Sequence, residues 1–229
     1  LAQFYERAGD VVCMGSDGRH GSLSAIGAVS PQGGDISEPV SQATLRIVKV
    51  FWGLDASLAY RRHFPAVNWL TSYSLYKDRL EEWFKENIDS EWSDVSAEIS
   101  RILQAESELD EIVKLVGVDA LSAEDRLTLE TAQSVREDYL QQNAFADTDA
   151  YTPLKQQFAL ARLILSFRDK ASEAIKAGAD VQKISEIGVR ERIGRAKSAP
   201  ADRFEEEYAD IEKQLDAELA ALISERSDD

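Results

Sequence analysis

The chain has 229 residues, an ordinary apolar fraction of 44% and a formal net charge of −16 at pH 7. This length is enough to bury one large core or two smaller ones. The acidic surplus argues against binding to nucleic acid and against direct docking on anionic lipid. A single cysteine excludes an internal disulfide framework, and two histidines far apart in the sequence give no credible zinc site.

The first residue is Leu1 and the only methionine is Met14, so we expect the chain to be part of a longer protein. The sequence has no pattern typical of a signal peptide and no apolar run of membrane-spanning length. Together with the single cysteine, these features favour a reducing, cytoplasmic setting.

The first third of the chain predicts pieces of an α/β domain. Residues 1–8 predict a short helix that ends at Gly9. Residues 22–29 are small and apolar and precede the breaker at 30–34, a pattern that predicts a buried strand entering a tight loop. Apolar residues at helical spacing then predict a helix over residues 44–62.

From Tyr73 onward the pattern is almost entirely helical. Gly117 lies where a helix C-terminal cap belongs, and residues 122–125 resemble a capping box that begins the next helix. Thr152 and Pro153 predict another start, a capping hydroxyl followed by proline at the first helical position.

The last predicted helix, over residues 201–224, carries a single apolar stripe at spacings of three and four. We therefore predict a mainly α fold, in which residues 1–70 form a small remnant of an α/β domain. Residues 71–229 are predicted to form a C-terminal helical bundle.

Motifs for phosphate binding and nucleophilic catalysis are absent from the sequence. It contains no GxxxxGK[ST], and the pair Gly33-Gly34 is followed by no lysine that would complete a phosphate-binding loop. No Ser-His-Asp or Cys-His arrangement can be assembled either. Motifs alone therefore predict an acidic helical interaction domain without assigning it a function.

One long stretch changes this interpretation. Residues 21–40 read GSLSAIGAVSPQGGDISEPV, residues 44–52 read TLRIVKVFW, and residues 61–74 read RRHFPAVNWLTSYS. This run resembles the catalytic (A) subunit of the V/A-type rotary ATP synthases of archaea and bacteria, and FYERAG at residues 4–9 is also similar to that family. The resemblance is weaker, but visible, through the helical half.

The resemblance implies that residues 1–70 are the C-terminal remnant of a P-loop-type nucleotide-binding domain. In such subunits the phosphate loop, the catalytic glutamate and the magnesium-binding aspartate lie upstream of the position of Leu1. We therefore expect a C-terminal fragment that contains no catalytic residues and does not turn over ATP alone.

The resemblance also implies an adenine pocket. Phe64 is similar to the family aromatic that packs on the adenine ring, and Phe145 to the other side of the pocket, with Gln142 and Ala144 as weaker candidates. Two aromatic rings from separate segments can sandwich a flat base, and we expect these two to come from different halves of the chain. Residue type alone instead favours a core aromatic before a proline turn at Phe64.

Five acidic residues are candidates for contact with a rotating central stalk. Asp119, Glu124 and Asp125 resemble an acidic turn that meets the stalk in F-type relatives, although alanines at positions 120 and 123 depart from the fuller pattern. The alternative is a plain helix start, where acidic residues suit the N-terminal dipole. Asp35 and Glu38 belong to another segment that resembles a family loop near the stalk.

For the whole subunit, the resemblance implies ATP or ADP with Mg²⁺ as ligands, none of them bound tightly by this chain alone. The implied partners are non-catalytic B subunits, three alternating with three catalytic subunits, and the central stalk. The implied location is peripheral, on the cytoplasmic face of a membrane reached only through the rest of the complex. The coupling ion, proton or sodium, cannot be read from this chain.

Two alternatives stay open at this point. The first is a non-enzymatic helical module that binds protein partners, which would show no dependence on nucleotide. The second is the non-catalytic B subunit, which the match over residues 21–74 disfavours.

Overall fold

The computed structural model describes residues 1–225 and divides into two compact units. The N-terminal unit contains residues 1–52 and 73–76, and the helical unit contains residues 53–72 and the described chain from residue 77. The structure is 62% helical with two small sheets, which confirms the mainly α fold class. The predicted domain boundary at residue 70 stays a prediction, and the last four residues of the predicted helical domain, 226–229, lie outside the described residues.

Short elements make up the N-terminal unit. In chain order they are α1 (Ala2–Tyr5), β1 (Gly9–Val12), β2 (His20–Leu23), α2 (Pro39–Leu45), β3 (Val50–Phe51) and β4 (Tyr73–Ser74). Strands β1 and β2 pair antiparallel, with Gly9 opposite Leu23 and Val12 opposite His20, and β3 pairs antiparallel with β4.

Two predictions for this part of the chain are wrong. Residues 22–29 do not form a buried strand, because β2 ends at Leu23 and the following Ile26 is 87% exposed. An apolar run forms a buried strand only if other strands pair with it, and the described chain places none beside residues 24–29. Residues 44–62 do not form one helix either, because Asp55 caps a new helix there by accepting from the amide N of Ser57 at 2.8 Å.

The helical unit contains the remaining helices. They are α3 (Ala56–Tyr60), α4 (Lys77–Asn87), α5 (Trp92–Val116), α6 (Ala123–Ser134), α7 (Asp147–Ala150), α8 (Leu154–Lys176), α9 (Val181–Ser185), α10 (Val189–Arg195) and α11 (Phe204–Glu225). Helix α8 lies at the centre and contacts α5, α6 and α11. It buries residues on most of its faces, which requires neighbours on several sides.

Helix α11 covers α8 with the predicted apolar stripe. Its members are buried at a spacing of three or four residues, and they are Phe204, Tyr208, Ile211, Leu215 and Leu219. Fully burying one leucine or isoleucine side chain stabilises a fold by about 1.5–3 kcal/mol. This stripe therefore accounts for the docking of an otherwise acidic helix.

Local capping chemistry sets several helix ends as predicted. Gly117 caps α5 at φ 84°, and the Ser122 hydroxyl oxygen accepts from the amide N of Asp125 at 3.1 Å to begin α6. The start predicted at Thr152 is wrong by one position, because Pro153 is the N-cap residue of α8. The Thr152 hydroxyl instead donates to carbonyl oxygens of the preceding turn.

A six-residue π-helical turn, Val135–Leu140, directly follows α6. No sequence pattern predicted it. Such turns are rare and occur frequently at functional sites, and this one leads straight into the segment that contains Gln142, Ala144 and Phe145.

Candidate nucleotide-base site

A tight turn after α3 positions Phe64. Arg62 has a left-handed backbone conformation at φ 60°, its amide N donates to the Ala59 carbonyl O at 3.0 Å, and the amide N of His63 donates to the Leu58 carbonyl O at 2.9 Å. This pair of hydrogen bonds is a Schellman motif, which reverses the chain at a helix end. It leaves His63 buried at 8% exposure and Phe64 half exposed at 51%.

Asn68 and Asp55 hold the ends of this turn together. The Asn68 side-chain amide donates to a carboxylate oxygen of Asp55 at 2.9 Å, and the amide N of Asp55 donates to the Ala66 carbonyl O at 2.9 Å. Hydrogen bonds from Ser57 and then from Asn68 lower the pKa of Asp55. Residues 63–66, here called the first wall, are thus fixed by a charged clamp at their base.

Residues 142–146, here called the second wall, are shaped by a buried ion pair. The Asp149 carboxylate is 7% exposed and accepts from the amide N of Asn143 at 2.7 Å. The ammonium group of Lys197 lies 3.7 Å from the same carboxylate and donates to the Gln141 carbonyl O at 2.9 Å. These contacts fix the loop while the Phe145 side chain is fully exposed.

The structure brings the two walls together. The amide N of Gln142 donates to the Phe64 carbonyl O at 2.7 Å, and the predicted residues Phe64, Gln142, Ala144 and Phe145 are all solvent-accessible. Neither aromatic ring contacts another ring among residues 1–225. An aromatic face that is open to solvent can stack on a flat base.

Both walls lie in the helical unit, whereas the boundary predicted at residue 70 puts Phe64 and Phe145 in different domains. Residues 53–72 pack with the helices that follow, although most of them precede that boundary. Closing of one unit on the other is therefore not needed to form this pair of walls.

Behind the walls lies a chain of contacts that the sequence did not reveal. The Nε2 atom of buried His63 is 3.2 Å from the carbonyl O of Arg136, and the imidazole packs on Trp69 with ring centroids 5.4 Å apart. The Arg136 guanidinium binds the Glu106 carboxylate with N–O distances of 2.8–3.1 Å. The only available signal was that His63 directly precedes Phe64.

Two of the stalk candidates, Asp35 and Glu38, lie in the N-terminal unit. Glu38 is the N-cap residue of α2 and accepts from the amide N of Ser41 at 2.6 Å. Hydrogen bonds from Ser41 lower its pKa, and those from Ser37 lower the pKa of Asp35. Both carboxylates therefore order their own loop.

The other three candidates lie at the start of α6. The Asp125 carboxylate accepts from the Ser122 hydroxyl at 2.7 Å, and Glu124 accepts from the Ser172 hydroxyl of α8 at 2.8 Å. The Asp119 side chain is 98% exposed. Of these three carboxylates, Asp119 is the most exposed, and the Arg126 guanidinium lies 3.9 Å from it.

The described residues contain no cluster of potential metal ligands. Across residues 1–225, no three His, Cys, Asp or Glu side chains come together in a way that would hold a metal ion. In the same range, no helix is both long enough and apolar enough to cross a membrane.

Comparison with known proteins identifies the family. Residues 1–74 match the ATP synthase alpha/beta family, nucleotide-binding domain, and residues 81–185 match the C-terminal domain of V and A type ATP synthase. Relatives named V-type ATP synthase alpha chain align over 98% of this chain, at 60% identity in Acetivibrio thermocellus and 57% in Clostridium novyi. The chain belongs to the V-type ATP synthase alpha chain family.

The chain spans 38% of the length of these two alpha chains. Its fold also resembles the solved structure of an ATP synthase subunit, NeqB from Nanoarcheaum equitans, with a TM-score of 0.59 over 73% of this chain and 38% of that chain. At 23% identity this likeness supports the fold alone. Membership in the alpha chain family favours the catalytic-subunit interpretation over the helical adaptor and over the B subunit.

The two walls fall in different family matches. Phe64 lies in the nucleotide-binding match over residues 1–74, and Phe145 lies in the C-terminal match over residues 81–185. In the structure they nevertheless adjoin within the helical unit. The family boundary in sequence and the packing boundary in space are therefore not the same.

Proposed function

We propose that this chain provides the adenine-binding walls of the nucleotide site in a V-type ATP synthase alpha chain. The observation that carries the proposal is the hydrogen bond from Gln142 to the Phe64 carbonyl O, which joins two segments that each expose an aromatic ring. One of these phenylalanines is half exposed and the other is fully exposed, and both lie on fixed, adjoining segments. Contact with a flat apolar ligand face is more favourable for such rings than contact with bulk water.

Stacking alone gives weak binding. One base stacked on aromatic side chains contributes roughly 1–3 kcal/mol, which corresponds to dissociation constants of about 5 mM or weaker. The sequence contains no GxxxxGK[ST] phosphate loop. We therefore propose that this chain alone does not turn over ATP and holds no nucleotide tightly.

Turnover is a property of the whole subunit in its complex. We propose that the complex couples ATP synthesis or hydrolysis to translocation of protons or sodium ions, at the cytoplasmic face of a membrane. Three such alpha chains and three B subunits would alternate in a hexameric ring around a central stalk. Mg²⁺ would be held outside the described residues, since these offer no set of ligands for it.

The helical unit is also the proposed contact with the stalk. Asp119 lies in the turn before α6, and its side chain is exposed. Glu124 accepts a hydrogen bond from Ser172, and Asp125 accepts one from Ser122. Asp119 is therefore the candidate that we expect to meet a basic stalk surface, since its one ion pair, with Arg126, is long at 3.9 Å. Because the adenine walls belong to the same unit as this turn, a force on the turn reaches them through packed helices.

Alanine variants of the whole alpha chain, assembled in its complex, test the adenine role. Phe64→Ala and Phe145→Ala are each expected to raise the KM for ATP about fivefold to thirtyfold, from the loss of about 1–2 kcal/mol of stacking. Tyr151→Ala is the matched control, because Tyr151 is also exposed, at 81%, and lies close to Phe145 in sequence. An unchanged KM in both phenylalanine variants would refute the proposal.

A further inference from the structure

We propose that His63 is a positioning residue for the base: its buried imidazole latches the first wall to the π-helical turn that carries the second. This inference rests on the proposed adenine site and assigns a role to a residue that touches neither base nor phosphate. The latch is the hydrogen bond between His63 Nε2 and the Arg136 carbonyl O, at 3.2 Å.

The chemistry of the partner fixes the proton on the ring. A carbonyl oxygen only accepts, so Nε2 must carry the hydrogen and Nδ1 must be the bare nitrogen. Nδ1 is buried and has no hydrogen-bond partner. Burial, followed by the nearby positive charges of Arg136 and Lys197, lowers the pKa of His63, although Glu137 opposes this. The ring is therefore neutral with one defined tautomer.

The Arg136 carbonyl O serves both walls. It accepts from the amide N of Gln141, the contact that ends the π-helical turn, as well as from His63. The next amide along, that of Gln142, donates to the Phe64 carbonyl O. His63 is thus bonded near the start of the π-helical turn, and Phe64 is bonded just after its end. These two contacts set the spacing between Phe64 and the second wall.

Two further contacts fix the latch from behind. Arg136 is held by Glu106 of α5, a carboxylate that is 8% exposed, so the turn cannot rotate freely. Trp69 packs on the imidazole, which restricts the ring to the orientation that aims Nε2 at the carbonyl. Because both partners are already immobilised, the hydrogen bond between them costs little conformational entropy. Such a bond can hold the first wall in one position.

Two substitutions of His63 distinguish its hydrogen bond to Arg136 from a role in which the side chain only fills space in the core. The side-chain amide of His63→Gln reaches the position of Nε2 and can donate to Arg136, whereas that of His63→Asn reaches only the position of Nδ1. In the whole alpha chain within its complex, we expect His63→Asn to raise the KM for ATP about fivefold to tenfold with kcat within twofold. His63→Gln should stay within about twofold of the parent KM.

Inhibition by inorganic tripolyphosphate, which has no base, distinguishes the latch from general damage to the site, because general damage would also weaken the binding of tripolyphosphate. Its inhibition constant against ATP is expected to be the same in the parent and in His63→Asn. The latch is refuted if His63→Asn leaves the KM unchanged, if the Gln and Asn variants are equally impaired, or if the inhibition constant for tripolyphosphate rises in parallel.

A second variant decides the matter if His63→Asn fails to assemble. Arg136→Lys keeps the charge but loses the two-pronged contact with Glu106, so it should raise the KM for ATP and leave tripolyphosphate inhibition unchanged; an unchanged KM would overturn the latch.

Phe64→Ala and Phe145→Ala separate the two proposals. If both leave the KM unchanged, the adenine site itself is wrong; if they raise it and the latch variants do not, only the latch is wrong.

Discussion

Asn68→Asp is predicted to destabilise the fold strongly at neutral pH and to recover in acid. The Asn68 side-chain amide donates to the Asp55 carboxylate at 2.9 Å. Aspartate has the same shape but only acceptor oxygens at neutral pH, so the substitution replaces a charge-assisted hydrogen bond with two carboxylates in contact.

The size of the effect follows from two contributions. Losing a hydrogen bond to a charged group costs about 1.5–3 kcal/mol. Two unit charges about 3 Å apart repel by about 1.5 kcal/mol when screened as in bulk water, and partial exposure of Asp55 favours this low value. We therefore expect the free energy of unfolding to fall by about 3 kcal/mol at pH 7.5.

The pH dependence distinguishes repulsion from simple loss of the bond. In the parent, hydrogen bonds hold the pKa of Asp55 below its ordinary value of 3.8, so its contribution is complete above that value and constant from pH 5 to 7.5. In the variant, the repulsion raises the pKa of one of the two carboxylates. The folded variant then takes up a proton before the unfolded chain does, and it gains stability as the pH falls.

Urea unfolding of this chain, followed by circular dichroism at pH 7.5 and pH 5, measures the difference. When it takes up a proton, the new carboxyl both loses the repulsion and again donates to Asp55, which together amount to about 3 kcal/mol or about two pKa units. We therefore expect the deficit of Asn68→Asp to be smaller by about 1 kcal/mol at pH 5, and the deficit of the Asn68→Ala control to be the same at both pH values. A deficit in Asn68→Asp that does not change with pH would refute the proposed contact between the two carboxylates.

Two further predictions concern the helical unit. Hydrogen bonding to Arg101, together with Arg168, lowers the pKa of Glu98 to about 2, so its contribution is present above pH 4.5 and is lost as the pH falls toward 2. Glu98→Gln should therefore lower the free energy of unfolding by about 1–2 kcal/mol at pH 6, the value for a partly solvated ion pair. This deficit against the parent should become smaller when unfolding is measured in acid, and a deficit that does not change with pH would contradict the prediction. Gly117→Ala should cost about 1–3 kcal/mol in urea unfolding, because φ 84° and ψ 160° are accessible essentially only to glycine, and an unchanged midpoint would contradict the assigned backbone.

Local signals in the sequence predicted the helical half well. The glycine at 117 and the serine at 122 act through their own backbone or through contacts three residues away, so a short window of sequence contains the whole interaction. The apolar stripe of α11 is predictable for the same reason, since its period alone identifies the buried face.

Contacts between distant residues were not predictable in this way. The partner of His63 lies 73 positions along the chain, and nothing local indicates that a histidine in an aromatic segment is buried. The error over residues 22–29 has a related cause, because an apolar pattern does not reveal whether a strand is available to pair with it. The π-helical turn at Val135–Leu140 likewise has no sequence signature that we could use.

The positions of the two proposed adenine walls could be inferred only through resemblance to a family. Residue type alone favours a buried core residue at Phe64, whereas in the structure its side chain is half exposed and its carbonyl O accepts from the second wall. What the structure adds is that both walls belong to one packed unit. The geometry of the base site should therefore persist while that unit moves as a body.

Photolabelling with 8-azido-ATP tests the central claim most directly, because the reactive nitrogen is carried by the adenine ring. The whole alpha chain in its complex is irradiated with the label, with and without excess ATP, and the modified peptides are identified by mass spectrometry. We predict ATP-protected labelling within residues 63–66 or 142–146. Protected labelling that falls only outside both walls would contradict the assignment of Phe64 and Phe145 to the base.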